Sequence, residues 1–256
     1  MNADQRQSSI AAAVAREGRV HVTELATRYG VTVETIRRDL SALDRAGALR
    51  KVHGGAVPAP VSASPETGVA ERELAAAPAK AAIASAALEA LAPEEGMSLL
   101  LDAGTTTAAL TRLLPTGLGL CVITDSLLIA SLLAPRDGIS VRVLGGQVRG
   151  ITQAAVGPEA LDALARLRVD VAILGTNGIS AEHGLSTPDP DEAAIKRAMV
   201  RAGRRVIALA DAAKFGQEHL VSFADTADID LLITNAPLPD PLASQLATTG
   251  TEVRIA

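Results

Sequence analysis

The chain has 256 residues, a length that suits one large domain or a large domain with a small one. Hydrophobic residues make up 48% of it, and its net charge is −5. Its aromatic residues are Tyr29, Phe215 and Phe223 alone, which argues against a protein that stacks single-stranded bases on aromatic side chains. A single cysteine excludes an intramolecular disulfide, and with neither a signal peptide nor an apolar run of roughly 20 residues we expect a cytoplasmic protein without membrane contact.

Charge is divided unequally along the chain. Residues 1–58 carry 9 Lys or Arg against 6 Asp or Glu, a net of +3, whereas residues 59–256 carry 15 against 23, a net of −8. A small basic module joined to an acidic body indicates a protein that binds nucleic acid at one end.

The first 57 residues are predicted to form a small helical domain. The expected elements are helices over 4–16, 24–29 and 33–45, a short strand at 20–22, and a strand and turn over 48–55. This order is the plan of a winged helix-turn-helix domain. In the third helix, Ile36, Leu40 and Leu43 fall at i, i+4 and i+7 and are expected to face the core.

Residues 32–56, TVETIRRDLSALDRAGALRKVHGGA, carry the strongest signal for DNA. Arg37 and Arg38 stand near the start of a helix behind a tight turn, where guanidinium groups contact phosphates or guanine edges. The alternative is a solvated helix in which either arginine pairs with Glu34 or Asp39; the surrounding domain plan and the local positive charge favour DNA. The candidate DNA contacts are Thr32, Thr35, Arg37, Arg38, Ser41, Arg45, Arg50, Lys51 and His53.

Pro, Ala, Ser and Glu dominate residues 57–79, which are predicted to link the first domain (1–57) to a second (80–256) through a linker at 58–79. From residue 80 onward, continuous apolar strands alternate with amphipathic helices, which predicts a Rossmann-like, mostly parallel α/β sheet covered on both faces. The strands are expected at 97–102, 119–124, 139–144, 169–175, 204–210, 229–234 and 252–255, and the helices at 80–91, 106–114, 126–133, 158–166, 191–202 and 239–248.

Such sheets bind ligands beyond the carboxyl ends of their strands. In LLLDAGTTTAAL (99–110) a buried strand runs through Asp102 into a Gly-Thr-Thr-Thr turn and a helix. Helix N–H groups and three hydroxyls there predict a phosphate site. Plain helix capping is the alternative, but a cap needs only one threonine.

Other candidate ligand residues follow the remaining strands or lie on the helix over 191–202. Glycines let backbone approach a ligand closely, and Glu192 and Lys196 share one helix face, where a surface ion pair is the alternative. The candidate ligand residues are Asp102, Gly104, Thr105, Thr106, Thr107, Gly145, Gly146, Gly175, Thr176, Asn177, Gly178, Glu192, Lys196 and Lys214. No histidines stand at metal-ligand spacing, so we expect neither a metal nor a cofactor.

These motifs together resemble the DeoR family of bacterial transcriptional regulators. The resemblance rests on TIRRDL, HGGA, LDAGTTT, LGGQVRG, VGPEA, LGTNGIS, DEAAIKRAM and ADAAKFG, at 35–40, 53–56, 101–107, 144–150, 156–160, 174–180, 191–199 and 210–216. It implies a homo-oligomeric, sugar-phosphate-sensing repressor whose second domain is similar to ribose-5-phosphate isomerases and CoA transferases. The chain departs from the usual family pattern at Asp125, where Asn is common, and at Thr176-Asn177, where Ala-Asp is common.

Three hypotheses about function remain. The favoured one is a regulator, not an enzyme, which binds double-stranded operator DNA and is released by a phosphorylated sugar. The second is a sugar-phosphate isomerase with an appended DNA-binding domain, in which Glu192 removes a proton beside Lys196 or Lys214. The third is a DNA-binding protein that responds to no ligand.

Overall fold

The structure, a computed structural model, describes residues 3–45, 49–57 and 66–256. The chain divides into two compact units, residues 1–65 and 66–256. The side chain of Arg45 and the first part of the predicted linker, residues 58–65, lie outside the described residues.

The smaller unit is a winged helix-turn-helix domain, as predicted. Its described elements are α1 (Ala3–Glu17), β1 (Val20–His21), α2 (Val22–Tyr29), α3 (Val33–Arg45), β2 (Arg50–Val52) and β3 (Gly55–Val57). The strands pair antiparallel in the order β1-β3-β2. Ile36, Leu40 and Leu43 of α3 are buried against Ile10 of α1 and Leu25 of α2, so the predicted inward stripe forms the core.

Two adjacent glycines shape the wing between β2 and β3. Gly54 has φ +77°, a conformation that residues with a side chain rarely adopt. A Cβ on Gly55 would lie 1.9 Å from the carbonyl oxygen of Val20, because β1 and β3 approach closely there. The Gly-Gly step is therefore required by the wing itself.

The larger unit contains helices, two short 3₁₀ turns and the strands of three sheets. In chain order its helices and strands are α4 (Val69–Leu74), α5 (Ala77–Leu91), β4 (Ser98–Leu101), α6 (Thr105–Leu113), β5 (Leu120–Thr124), α7 (Leu127–Leu133), β6 (Ile139–Val143), β7 (Gln147–Arg149), β8 (Ala154–Val156), α8 (Pro158–Leu164), β9 (Val169–Gly175), β10 (Gly178–Ser180), β11 (Gly184–Thr187), α9 (Pro190–Ala202), β12 (Gly203–Leu209), β13 (Val221–Ala224), β14 (Leu231–Thr234), α10 (Asp240–Thr249) and β15 (Glu252–Ile255).

The main sheet of this unit has seven parallel strands in the order β15-β14-β12-β9-β4-β5-β6. Both of its faces are buried, since Leu99 and Leu101 of β4 join one apolar cluster with Ile83, while Leu100 between them joins another with Met199. The predicted parallel α/β sheet is confirmed. No helix among the described residues is long and apolar enough to cross a membrane.

Five short strands of the larger unit were not predicted from the sequence. β10, β11 and β13 form a small antiparallel sheet, and β7 pairs with β8 as a hairpin. Each has only three or four residues, too few to show a clear alternation of apolar and polar positions.

Residues 66–79 belong to the larger unit and not to a linker, which corrects the prediction for this segment. Val69 is buried at the start of α4, and its N–H donates to the carbonyl oxygen of Ile151 at 3.1 Å. Glu73 of α4 pairs with Arg112 of α6. A composition typical of linkers thus forms an ordered helix because the folded domain supplies it with partners.

Candidate functional site

The basic residues predicted to contact DNA lie on the surface of the smaller unit. Arg37 and Arg38 of α3 are exposed, as are Arg50, Lys51 and His53 of the wing. None of these five is held in a buried ion pair within the described residues, so their charges are available to phosphates or base edges.

Among the described residues, only one of the two arginines forms an ion pair of the kind that the alternative hypothesis predicted. Arg37 lies 3.6 Å from the carboxylate of Glu34, with both side chains largely exposed, a pair of little energetic weight. Asp39 instead turns inward, where it is bonded by Arg6 at 2.6 Å and by Gln7 at 3.0 Å. Asp39 therefore ties α1 to α3 and leaves Arg38 without an ion-pair partner among the described side chains.

The smaller polar candidates of this unit have structural partners of their own. The hydroxyl of Thr32 accepts from the N–H of Thr35 at 3.2 Å, which caps α3. The hydroxyl of Ser41 donates to the carbonyl of Arg37 at 2.7 Å and accepts from the ammonium of Lys51 at 2.8 Å. Ser41 and Lys51 therefore join the wing to α3.

In the larger unit, β12, β9, β4 and β5 end side by side at the carboxyl edge of the sheet. Asp211, Thr176, Asp102 and Asp125 follow these strands within two residues. Parallel strands bring their carboxyl ends to one edge, which is where sheets of this kind place a ligand.

Asp102 is the centre of this edge and is fully buried. One of its oxygens accepts from the N–H of Gly104 at 3.1 Å and from the hydroxyl of Thr107 at 2.6 Å. The other accepts from the N–H of Gly175 at 2.8 Å and from the ammonium of Lys196. With four donors from its own chain, Asp102 fixes the turn before α6.

The start of α6 presents free donors. Gly104 precedes the helix and offers no side-chain cap, and a Cβ there would lie 2.9 Å from both Asp102 Oδ1 and Thr107 Oγ1. Thr105 and Thr106 are 8% exposed, and their hydroxyls make no hydrogen bond to the described part of the chain. The first N–H groups of α6 and these two hydroxyls together suit an anion.

Glu192 and Lys196 are both buried, and they do not pair with each other, so the surface ion pair is wrong. The ammonium of Lys196 bonds Asp102 and the carbonyl of Gly175, the latter at 3.0 Å. It also lies 5.4 Å from the ring centroid of Phe223, within range of a cation–π contact. Helix spacing predicted correctly that the two residues share one face, but it could not predict their partners.

Arg149, which was not among the predicted site residues, forms ion pairs with Glu192 and with two neighbouring carboxylates. Its guanidinium contacts Glu66 at 2.8 Å, Asp189 at 3.1 Å and the carboxylate of Glu192. Thr152 donates to the same Glu192 oxygen. Arg149 lies within the motif LGGQVRG on β7, a strand that was not predicted, and the sequence indicated no partner for it.

The loop after β9 and its neighbour β11 are held by hydrogen bonds within the chain. The hydroxyl of Thr176 donates to the carbonyls of Gly178 at 2.7 Å and Ser186 at 3.2 Å. The side-chain oxygen of Asn177 accepts from the hydroxyl of Thr187 at 3.1 Å. The Thr-Asn pair therefore anchors β11 to the loop after β9.

Two of the candidate glycines are explained by packing of the chain on itself, not by close approach of a ligand. A Cβ on Gly146, at φ +123°, would lie 2.3 Å from the carbonyl oxygen of Val156. A Cβ on Gly178 would lie 2.2 Å from that of Gln217. Gly145, in contrast, has open space beside it.

Asp125 is the most unusual carboxyl at this edge. It is 3% exposed, and its Oδ1 has no hydrogen-bond partner within the described residues. Burial raises the pKa of Asp125 well above its ordinary value, and the negative charges of Asp102 and Glu192 raise it further against the opposing effect of Lys196. Asp125 therefore keeps its proton to a higher pH than an ordinary carboxyl does, and in its protonated form it can donate a hydrogen bond.

Further cations complete this edge, and the sequence reasoning found only one of them. Lys214 ends the 3₁₀ turn that Asp211 caps, and it has no ion-pair partner among the described residues. Lys80 of α5 is buried, and burial lowers its pKa. The charges acting on Lys80 are those of Asp211, Lys214, Arg72 and Glu73, so these side chains lie together. Within the described residues, no three His, Cys, Asp or Glu side chains are arranged to hold a metal ion.

Family models match almost the whole chain. Residues 6–59 match a DeoR-like helix-turn-helix domain, and residues 75–236 match the DeoR C-terminal sensor domain. The chain belongs to the DeoR family. It is a DNA-binding transcriptional regulator with an α/β sensor domain.

Several curated DeoR-family proteins are similar to this chain over most of both lengths. The HTH-type transcriptional regulator GlpR of Haloferax volcanii is 37% identical, covering 91% of this chain and 89% of its own. The putative aga operon transcriptional repressor of Escherichia coli O157:H7 is 31% identical, covering 97% and 92%. The glycerol-3-phosphate regulon repressor of E. coli K12 is 31% identical, covering 93% and 93%. These relatives are regulators by name, which agrees with the expectation of a regulator and not an enzyme.

Proposed function

We propose that this DeoR-family regulator is a repressor that a phosphorylated sugar releases from its operator. The observation that carries the proposal is the start of α6, where free helix N–H groups and the unbonded hydroxyls of Thr105 and Thr106 lie at the carboxyl edge of the sheet. Asp102, Lys196 and Lys214 surround that edge. The phosphate would occupy the helix start, and the sugar would extend toward Asp125 and Glu192.

The names of the relatives support repression and a phosphorylated ligand. One relative is a repressor of a glycerol-3-phosphate regulon and another is named as an operon repressor. Release from DNA requires that the ligand bind one arrangement of the protein better than the other, by about 1–3 kcal/mol in typical cases.

An isomerase is disfavoured by the surroundings of Glu192. Its carboxylate is bonded by Arg149 and Thr152, so the residue that would have to remove a proton from a substrate carbon is already occupied by donors of the protein. Incubation with pentose phosphates under binding conditions should therefore give no product.

Operator recognition is proposed to use Arg37 and Arg38 on α3 and the basic residues of the wing. We also propose a homo-oligomer, because paired recognition helices read two half-sites about one helical turn apart. Light scattering on the purified protein measures the oligomer number, and a protein that stays monomeric on and off DNA would contradict this part.

The decisive experiment selects bound DNA from a random pool and then titrates the complex with sugars. We expect phosphorylated sugars, and not the matching unphosphorylated ones, to lower operator affinity. Equal affinity across the whole panel would instead support a regulator without a ligand.

A further inference from the structure

β6 is an edge strand of the main sheet, and no described strand pairs with its outer side. The N–H of Leu144, directly after β6, donates to the carbonyl oxygen of Thr124 on β5 at 2.8 Å. Successive residues of a strand direct their backbone groups to opposite sides, so those of Ile139, Val141 and Val143 point away from β5. β6 therefore presents a row of backbone donors and acceptors that suits pairing with another strand.

The side chains beside this edge are largely apolar. Val143 is 46% exposed, and Ile139 and Val141, which share its face of the sheet, are only partly buried. The helix α7 packs against β6, and its sequence LLIASLL has no charged residue. Leu127 at its start is 42% exposed, and Leu132 is partly buried. An exposed apolar surface of this kind is typical of a protein–protein interface.

The opposite edge of the sheet, β15, has a different pattern. Glu252 and Arg254 alternate there with Val253 and Ile255, and both charged side chains are exposed to solvent. Charged side chains on an edge strand protect it from pairing with other chains. β6 contains Arg142 as its only charged residue, so it is the less protected of the two edges.

The sequence of β6 is complementary to a second copy of itself. In a two-fold symmetric antiparallel pair centred on Val141, Ile139 faces the second copy's Val143, and Val141 faces its own counterpart. Pairs of β-branched side chains stabilise such a contact. On the other face of the strand, Ser140 lies opposite Arg142, so no like charges meet. A pair centred on Arg142 would instead place two guanidinium groups opposite each other, which disfavours that register.

We propose that two copies of this chain associate through β6, so that their main sheets join into one continuous sheet. Stable interfaces bury about 800 Å² per partner, more than a pair of five-residue strands covers, so the apolar side chains of α7 complete the contact. The inference rests on the proposed homo-oligomer and names the surface that forms it. A second copy is the occupant because β6 matches its own sequence in register, in apolar side chains and in charge.

The first test compares Val143→Lys on β6 with Ile255→Lys on β15. The two side chains are 46% and 53% exposed on opposite edges of the sheet, so each protomer accommodates a lysine without loss of its fold, which circular dichroism checks. At position 143 the ammonium would face Ile139 of the second copy and oppose pairing. We expect Val143→Lys to raise the dissociation constant of the full-length oligomer about tenfold or more. Its mass by light scattering should halve at a concentration where wild type is assembled, whereas Ile255→Lys should keep the wild-type mass.

A second test measures the register by disulfide cross-linking. Cys121 pairs with Ser140 on the neighbouring strand, so the experiment uses a Cys121→Ala background. Ser140→Cys combined with Arg142→Cys places thiols at directly opposed positions of the two copies, where Cα atoms about 4.5 Å apart suit a disulfide. Mild oxidation should convert this protein to covalent dimers. Each single variant should form far fewer, because its two thiols are offset along the strands.

Three outcomes would overturn the assignment of β6. They are an unchanged oligomer mass in Val143→Lys, dissociation by Ile255→Lys instead, and an oligomeric double-cysteine protein that forms no covalent dimer. A wild-type protein that is monomeric on and off DNA would contradict the proposed homo-oligomer itself. The mass of the wild-type protein therefore distinguishes failure of that proposal from failure of β6 as its surface.

Discussion

The ammonium of Lys196 bonds the buried carboxylate of Asp102 across 94 positions of sequence. This pair joins α9 to the turn before α6 and so supports the helix start that is proposed to bind phosphate. Lys196→Met would leave Asp102 buried without its cation and should lower the free energy of unfolding by about 3–5 kcal/mol. Urea unfolding measures the change, and Arg254→Met, at an exposed pair 3.8 Å long, is the control with a change near zero. A Lys196→Met protein as stable as the control would refute the supporting role of the pair.

Thr106 and Thr107 are adjacent but should behave differently on substitution. Thr107 bonds Asp102, so Thr107→Ala should lower the free energy of unfolding by about 1–2 kcal/mol. Thr106 has no such bond, so Thr106→Ala should keep its stability and its DNA affinity but weaken the response to a sugar phosphate. Thermal melts and operator titrations separate the two effects. An undiminished ligand response in Thr106→Ala would place the phosphate elsewhere.

Arg38 should contribute to DNA affinity through charge. Because the side chain is exposed and has no ion pair within the described residues, Arg38→Ala should weaken operator binding and reduce the slope of log affinity against log salt by about 1. Arg37→Ala should act in the same direction. Fluorescence anisotropy at several salt concentrations provides the measurement, with Arg254→Ala in the larger unit as control. If neither arginine variant departs from that control, α3 is not the recognition helix.

Asp125 should make stability depend on pH. A carboxyl whose folded pKa is raised keeps its proton in the folded state, so stability falls as pH rises from the unfolded value of about 3.9 toward the folded value. Asp125→Asn removes that dependence. The free energy of unfolding of wild type minus that of Asp125→Asn should therefore decrease with rising pH over this interval. Denaturant titrations from pH 4 upward test this, and a difference that is flat or rises with pH would show that the pKa of Asp125 is not raised.

The α/β alternation was readable in the sequence because β4, β5 and β14 of the main sheet are buried and almost entirely apolar. β9 and β15 have their predicted bounds, α9 begins one residue earlier than predicted, and α6 is shifted by one residue at both ends. The short antiparallel strands were not readable, since three or four residues carry too little periodicity to be told from loop. The same limit hid Arg149 on β7.

Only the part of the candidate ligand site that depends on neighbouring residues could be predicted from the sequence. A strand that ends in Asp102 before a Gly-Thr-Thr-Thr turn predicts a ligand site by local pattern alone. The resemblance of many ordered motifs to the DeoR family predicted that the protein is a transcriptional regulator. Contacts between distant positions have no local signature. The bond of Lys196 to Asp102 could not be found, because the two residues lie 94 positions apart.

The sequence by itself determined the two-domain plan, the inward faces of the helices, and the turn at Asp102, because hydrophobic periodicity and turn chemistry act over neighbouring residues. Tertiary structure alone decided which charges meet, namely Lys196 with Asp102 and Glu192 with Arg149. The physical reason is burial. Removing a charged group from water makes its partner decisive for stability, and the fold chooses that partner from residues tens of positions away.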